Sequence, residues 1–124
     1  MSDKATNTLN AAANLSALQY HIMRVSGVNA CNVSSQATDS DMCGVLQNKP
    51  QSGEGASIQY SGRGRVVAGG AVTAGDHLSC NGSGRAATVT SGQMAFGQAL
   101  ETSGADGDNI DIIQYYPVRW AGAP

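Results

Sequence analysis

Between Gly44 and Ile113 the chain is a succession of short apolar runs, cut every few residues by glycine; fourteen of its 16 glycines lie in that stretch. Glycine tolerates the positive φ that tight turns require, so a run cut in this way reads as strand, turn, strand. The stretch contains no catalytic constellation. A chain devoted to hairpins, with little charge and no reactive cluster, reads as a scaffold rather than an enzyme.

At 124 residues there is room for one domain that buries roughly two thirds of its unfolded surface. Charged residues make up 13% of the chain and aromatics 5%, against a usual charged share of about 25%. The core must therefore come from Val, Ile, Leu, Ala and Met, each of which buries less area than Phe or Trp. A subunit with so thin a core gains by oligomerising or by lying on a larger surface. The net charge of −2 and the pI near 5.4 speak against nucleic acid or an anionic membrane as partner, since both demand clustered Lys and Arg. Arg63 and Arg65, in Ser61-Gly-Arg-Gly-Arg-Val, come nearest to a basic patch. Alternate residues of a strand share a face, so the two suit an acidic partner or stand as two solvated arginines.

Cys31, Cys43 and Cys80 show no CxxC or Cys/His spacing, and a zinc site needs about four ligands in a compact array. Buried thiols in a reducing cytoplasm are expected, with no metal and no cofactor. No apolar run approaches the roughly 18 residues that cross a membrane, and the N-terminus lacks a signal-peptide pattern.

Met1 to Asn14 is small and polar and reads as an extended arm that orders on a partner. Strands are expected over Leu18–Val25, with neither face fully wet, and over Val28–Val33 and Met42–Gln47. Ala56–Tyr60 and Arg63–Ala68 read as two further strands, then His77–Cys80, closed by the hairpin signal Asn81-Gly82. Arg85–Thr90 follows. Met94–Leu100 carries Gly97, where a bulge or a close backbone approach is expected. Asp106-Gly-Asp-Asn reads as a turn before a last strand, Ile110–Tyr116. The fold class is all-β: a small antiparallel barrel or sandwich over residues 15–116, flanked by the arm (1–14) and a C-terminal tail (117–124).

The segment from Tyr115 to Trp120 holds Tyr115, Tyr116 and Trp120, half of the six aromatics, together with Arg119. Aromatics and arginine are enriched at interface hot spots; a tail folded back over the barrel would look the same. With Leu9 of the arm and Arg63 and Arg65, these four residues are the candidate interface set.

Rival chemistries are thinly supported. Cys43, His21 and Asp111 could be named as a hydrolytic trio, but a structural histidine in a strand explains His21 more simply. Asp39 with Asp41, and Asp106 with Asp108, Asn109 and Asp111, lack the ligand loop that calcium needs. A biotinyl or lipoyl carrier needs a lysine at a hairpin tip, whereas Lys4 lies in the arm and Lys49 beside Pro50.

The words of the sequence narrow the reading further. Gly44-Val-Leu-Gln-Asn-Lys-Pro-Gln-Ser-Gly-Glu-Gly-Ala-Ser-Ile58 comes first, then Gly64-Arg-Val-Val-Ala-Gly-Gly-Ala-Val-Thr-Ala-Gly-Asp-His-Leu78 and Asn81-Gly-Ser-Gly-Arg-Ala86. Gly97-Gln-Ala-Leu-Glu101 and Gly107-Asp-Asn-Ile110 complete an ordered series over about residues 37–115 that resembles tailed-phage capsid decoration (cement) proteins. The resemblance implies a small β-barrel or β-tulip-like subunit without enzymatic activity. It also implies a homotrimer on the outer surface of the phage head, made in the host bacterial cytoplasm, that binds the major capsid protein and holds its neighbouring subunits together. The long N-terminal region and the aromatic tail depart from the shortest members. A second expectation, from a different class, is a small β-barrel adhesin or fibre module that binds a host surface ligand.

Overall fold

The computed structural model describes residues 5–38 and 40–120. These form nine strands: β1 (Ala5–Ala11), β2 (Ile22–Gly27), β3 (Ala30–Val33), β4 (Met42–Leu46), β5 (Gly55–Gly69), β6 (His77–Cys80), β7 (Ala86–Thr88), β8 (Met94–Ala99) and β9 (Asp106–Arg119). The expected all-β barrel class is what the chain adopts.

The strands pair in the order β1-β3-β2-β4-β5-β7-β6-β8-β9, and two further pairings, β1 with β5 and β5 with β9, close that order on itself twice. Two five-strand circuits therefore share one strand. Closure gives the sheet edges partners and removes open backbone. The shared strand, β5, is 15 residues long, about 50 Å at a rise of about 3.3 Å per residue. Its first half pairs with β1 and β4, and its second half with β9 and, at Ala68, with β7. The sequence pattern divides this strand into two, because Ser61-Gly-Arg-Gly reads as a break.

Gln59 makes the passage continuous. Its side-chain Nε2 donates to the carbonyls of Ser61 (3.1 Å) and Arg63 (3.0 Å), and Gln114 Nε2 donates to the Gln59 carbonyl at 2.9 Å. Both glutamines are buried. A Cβ on Gly64 would stand 2.7 Å from Gln59 Oε1 and 3.0 Å from Gln114 Oε1, so the amide pair fits only against a glycine.

Each circuit has its own core. Leu15, Met23, Cys31, Leu46, Ala56 and Ile58 pack in the first. Ile22, Val66, Leu78, Phe96, Ile110 and Ile112 belong to the second, larger cluster. Neighbouring residues of β2 thus serve different cores: Ile22 and Met23 are both 0% exposed and point oppositely, as strand alternation requires. The strand expected over Leu18–Val25 is thus shorter and shifted: residues 18–21 precede it outside any strand, and only Ile22 and Met23 are buried on both faces, Val25 to Gly27 being exposed. Burial also pushes the Cys31 thiol above its ordinary pKa, and no disulfide joins Cys31, Cys43 or Cys80.

Three further local expectations are corrected. Residues 5–11 of the arm are extended, but they do not await a partner: they run antiparallel to β5, from Ala5 opposite Ser61 to Asn10 opposite Gly55, and Ala11 is buried. Asp106–Asn109 is not a turn but the start of β9, paired with Val67–Gly69. Asn81-Gly82 does not make a two-residue hairpin; the Asn81 side-chain oxygen accepts from the amides of Ser83 (2.8 Å) and Arg85 (3.0 Å) and closes a longer loop. Gly97 behaves as expected. The register of β8 against β9 shifts between Ala95 and Gly97, and a Cβ at Gly97 would stand 2.8 Å from the Ile113 carbonyl. Met1–Lys4, Asp39 and residues 121–124 lie outside the described residues, and with them the ends of the expected arm and tail.

Candidate functional site

Strand register decides which of the candidate interface residues share a surface. Arg63 of β5 lies opposite Ile113 of β9, Ile113 opposite Gln98 of β8, and Gln98 opposite His77 of β6. One row therefore crosses four strands. In the next row out, Arg65 faces Asp111. Residues 110, 112 and 114 of β9 are buried while 111, 113 and 115 are not, so the row lies on the outer face of the second circuit.

The charges on this face are interlocked. Arg63 Nη2 donates to Asp111 Oδ2 at 3.0 Å, and Arg65 Nε lies 3.7 Å from Asp111 Oδ1. One carboxylate thus serves two guanidiniums. The arginine side chains remain 67% and 50% exposed, and exposed pairs of this kind contribute about 0–1 kcal/mol each. They do little for stability and stay available to an incoming partner. The Asp111 amide in turn donates to Glu101 Oε1 at 2.6 Å.

The aromatic residues frame the same region. The Tyr115 hydroxyl and His77 Nδ1 are hydrogen-bonded at 2.8 Å, with the direction set by the imidazole tautomer. Burial raises the Tyr115 pKa above its ordinary value. Trp120 stacks on His77, with centroids 4.7 Å apart. Tyr116 meets Tyr60 of β5 edge to face at 6.4 Å. Arg119 Nη1 donates to the Gly92 carbonyl at 2.8 Å, and the Trp120 amide to the Gln93 carbonyl at 2.7 Å. Arg119 and Trp120 are thus held by the loop before β8.

Arg63, Arg65, Tyr115 and Trp120 gather around the outer face, with Tyr116 and Arg119 farther along the same strand. Leu9 is placed elsewhere. It lies on β1 opposite Ala56, half-buried against the core of the first circuit. Exposed Ile113 (47%) and Val118 (49%) on β9 add apolar area to the surface. Residues 110–116 were legible as a strand, but the structure carries β9 on through Pro117 and Val118 to Arg119, which the sequence reading placed in the tail.

Several groups named in the catalytic and calcium alternatives are engaged by other partners. His21 Nδ1 bonds to the Gln19 carbonyl (3.3 Å), and its Nε2 accepts from Arg85 Nε (3.3 Å). Asp111 is taken by the arginines, Asp106 by Arg85, and Asp108 accepts from Ser103 Oγ at 3.2 Å. Among the described residues no group of His, Cys, Asp and Glu is placed to hold a metal ion.

The family model of phage cement proteins matches residues 4–114, nearly the whole chain. The chain belongs to the phage cement protein family. No curated protein matches it in sequence. In three dimensions the cement-family chain is similar to the N base of head fibre gp8.5 of bacteriophage phi29, with a TM-score of 0.69 and 20% identity. That match covers 90% of this chain and 93% of the fibre base. At such identity the likeness is one of fold. It places the double circuit of this cement-family chain in an architecture that a phage head protein also uses.

Proposed function

We propose that this protein decorates the outer surface of a phage head without enzymatic activity, binding the major capsid protein and holding neighbouring capsid subunits together. The observation that carries the reading is the cement-family match over residues 4–114. The outer face of β5, β9 and β8 is the proposed grip, because Arg63, Arg65 and Tyr115 stand there beside exposed Ile113. Arginine and tyrosine around an apolar centre is the composition of interface hot spots. The subunit acts as a homotrimer: a chain touching several capsid subunits through repeated modest contacts multiplies their effect through effective concentration. It is made in the host cytoplasm and resides on the virion.

Cosedimentation with purified, undecorated heads tests this reading. The wild-type chain pellets with heads, and the Arg63→Glu, Arg65→Glu double variant, folded by its melting curve, pellets at least about tenfold less, as reversal of paired interface charges predicts. Equal pelleting of both proteins removes the assigned face; no pelleting of wild type removes the function. The fibre-base likeness favours a second reading, in which the chain is the foot of a fibre that engages a host surface. Retention on host cells without binding to heads would select it.

A further inference from the structure

A cleft of about 340 Å3 opens where the two circuits meet. Tyr20 and His21, before β2, form one wall. Lys49 comes from the loop between β4 and β5, Arg85 from the loop before β7, and Asn109 from β9. The chain carries nine acidic and seven basic residues, yet no carboxylate is among the described residues that line this cleft. Its two charged lining residues, Lys49 and Arg85, are opposite in sign to the molecule's net charge, with Asp106 paired to Arg85 at its edge.

The donors are held in place and not used up. Arg85 Nε donates to His21 Nε2 (3.3 Å), and Arg85 Nη1 donates to Asp106 Oδ1 (2.8 Å). These two bonds fix the plane of the guanidinium, and no hydrogen bond to a described residue occupies Nη2. Lys49 has no hydrogen bond or ion pair to a described residue either. His21, 5% exposed, accepts from Arg85 and is held neutral: burial first, and the neighbouring guanidinium second, lower its pKa. The cleft therefore offers donors and positive charge, with one buried imidazole fixing their orientation.

The wall itself is under constraint. Tyr20 has φ of +67°, a conformation that a bulky residue adopts only when its surroundings enforce it. Here its amide donates to the Leu46 carbonyl (2.7 Å) and its carbonyl accepts from the Val67 amide (2.9 Å). One bond reaches β4 of the first circuit and the other reaches β5 where it belongs to the second. Backbone strain of this kind gathers at ligand clamps.

We propose that the cleft is an anion site that takes a carboxylate side chain from an acidic segment of the capsid protein. The proposal rests on the decoration reading, in which the partner is a protein and its anions are carboxylates. Arg85 offers the N–H groups of Nη2 as charge-assisted donors to a carboxylate oxygen, and Lys49 a mobile point charge.

The test is an amide-resolved NMR titration of the intact chain with three probes: a short peptide of glutamate and aspartate, its glutamine and asparagine counterpart, and inorganic phosphate. The acidic peptide shifts the amides of Tyr20, His21 and Asn109 saturably, the neutral peptide does not, and added salt weakens the effect. Lys49→Gln, with an unchanged melting temperature, weakens binding about threefold to fivefold, as loss of one exposed charge contact predicts. Equal shifts from the neutral peptide, tighter binding of phosphate, or an unchanged affinity in Lys49→Gln overturns the proposal. Head binding that persists in a chain with no affinity for the acidic peptide overturns the cleft and leaves the decoration reading standing.

Discussion

Trp120 lies flat on His77, with ring centroids 4.7 Å apart and planes 30° apart. The contact ties the end of β9 to β6, so the aromatic segment that could have been a free tail is part of the barrel wall as far as residue 120. Both partners come from the outer face proposed to meet the capsid, and the stack shapes that face as well as stabilising it.

Trp120→Ala should therefore cost stability. A stacked aromatic pair contributes about 0.5–1.5 kcal/mol beyond its buried area, which for a domain of this size lowers the melting temperature by about 2–6 °C. Differential scanning calorimetry checks the value. An unchanged melting temperature would return the segment to the status of a loose tail.

Gly64→Ala should be worse than a usual surface change, although it adds one methyl group. The new Cβ would meet the buried amides of Gln59 and Gln114, and overpacking of this kind costs about 1–3 kcal/mol. Urea unfolding measures the loss. Gly75→Ala, which meets no atom within 4 Å but sits at φ +96°, is the control for backbone strain without the clash.

Removing residues 1–11 tests whether β1 belongs to the folded subunit. The strand is one wall of the first circuit and covers the cluster containing Leu15 and Ile58. The truncated chain is expected to unfold at lower temperature and to bind a hydrophobic dye in the absence of any capsid. A truncated chain as stable as the full one would support an arm that orders only on binding.

His21 gives stability a defined pH dependence. Its pKa is lowered in the fold, by burial first, then by Arg85, so the unfolded chain takes up a proton that the native chain resists. The contribution is fully present above the unfolded value of 6.5 and is lost as pH falls below it. Melting temperature should drop between pH 7 and about 5, and His21→Gln should flatten that drop. A wild-type and variant slope of equal size would contradict the assignment.

Much of this was legible in the chain because strands and turns are written locally. His77–Cys80 is β6 to the residue, and Gly97 announces its close approach. Long-range pairing is not written locally. That β5 runs through Ser61-Gly-Arg-Gly without stopping depends on Gln59 reaching across to Ser61 and Arg63, and on Gln114, 55 residues away. The second circuit follows from that one continuous strand. The proposed interface residues Arg63, Arg65 and Tyr115 were readable by type, and register alone puts them on one face. The cleft was not readable. Lys49 and Arg85 are unremarkable in sequence, and only the meeting of two barrels brings them together with His21.

The most direct test of the whole account is a cryo-electron microscopy reconstruction of heads incubated with the purified chain. Density is expected on the outer surface, fitted by the double circuit, with Arg63, Arg65 and Tyr115 turned toward the major capsid protein. Heads without added density, or density reached through the opposite side of the second circuit, would contradict it.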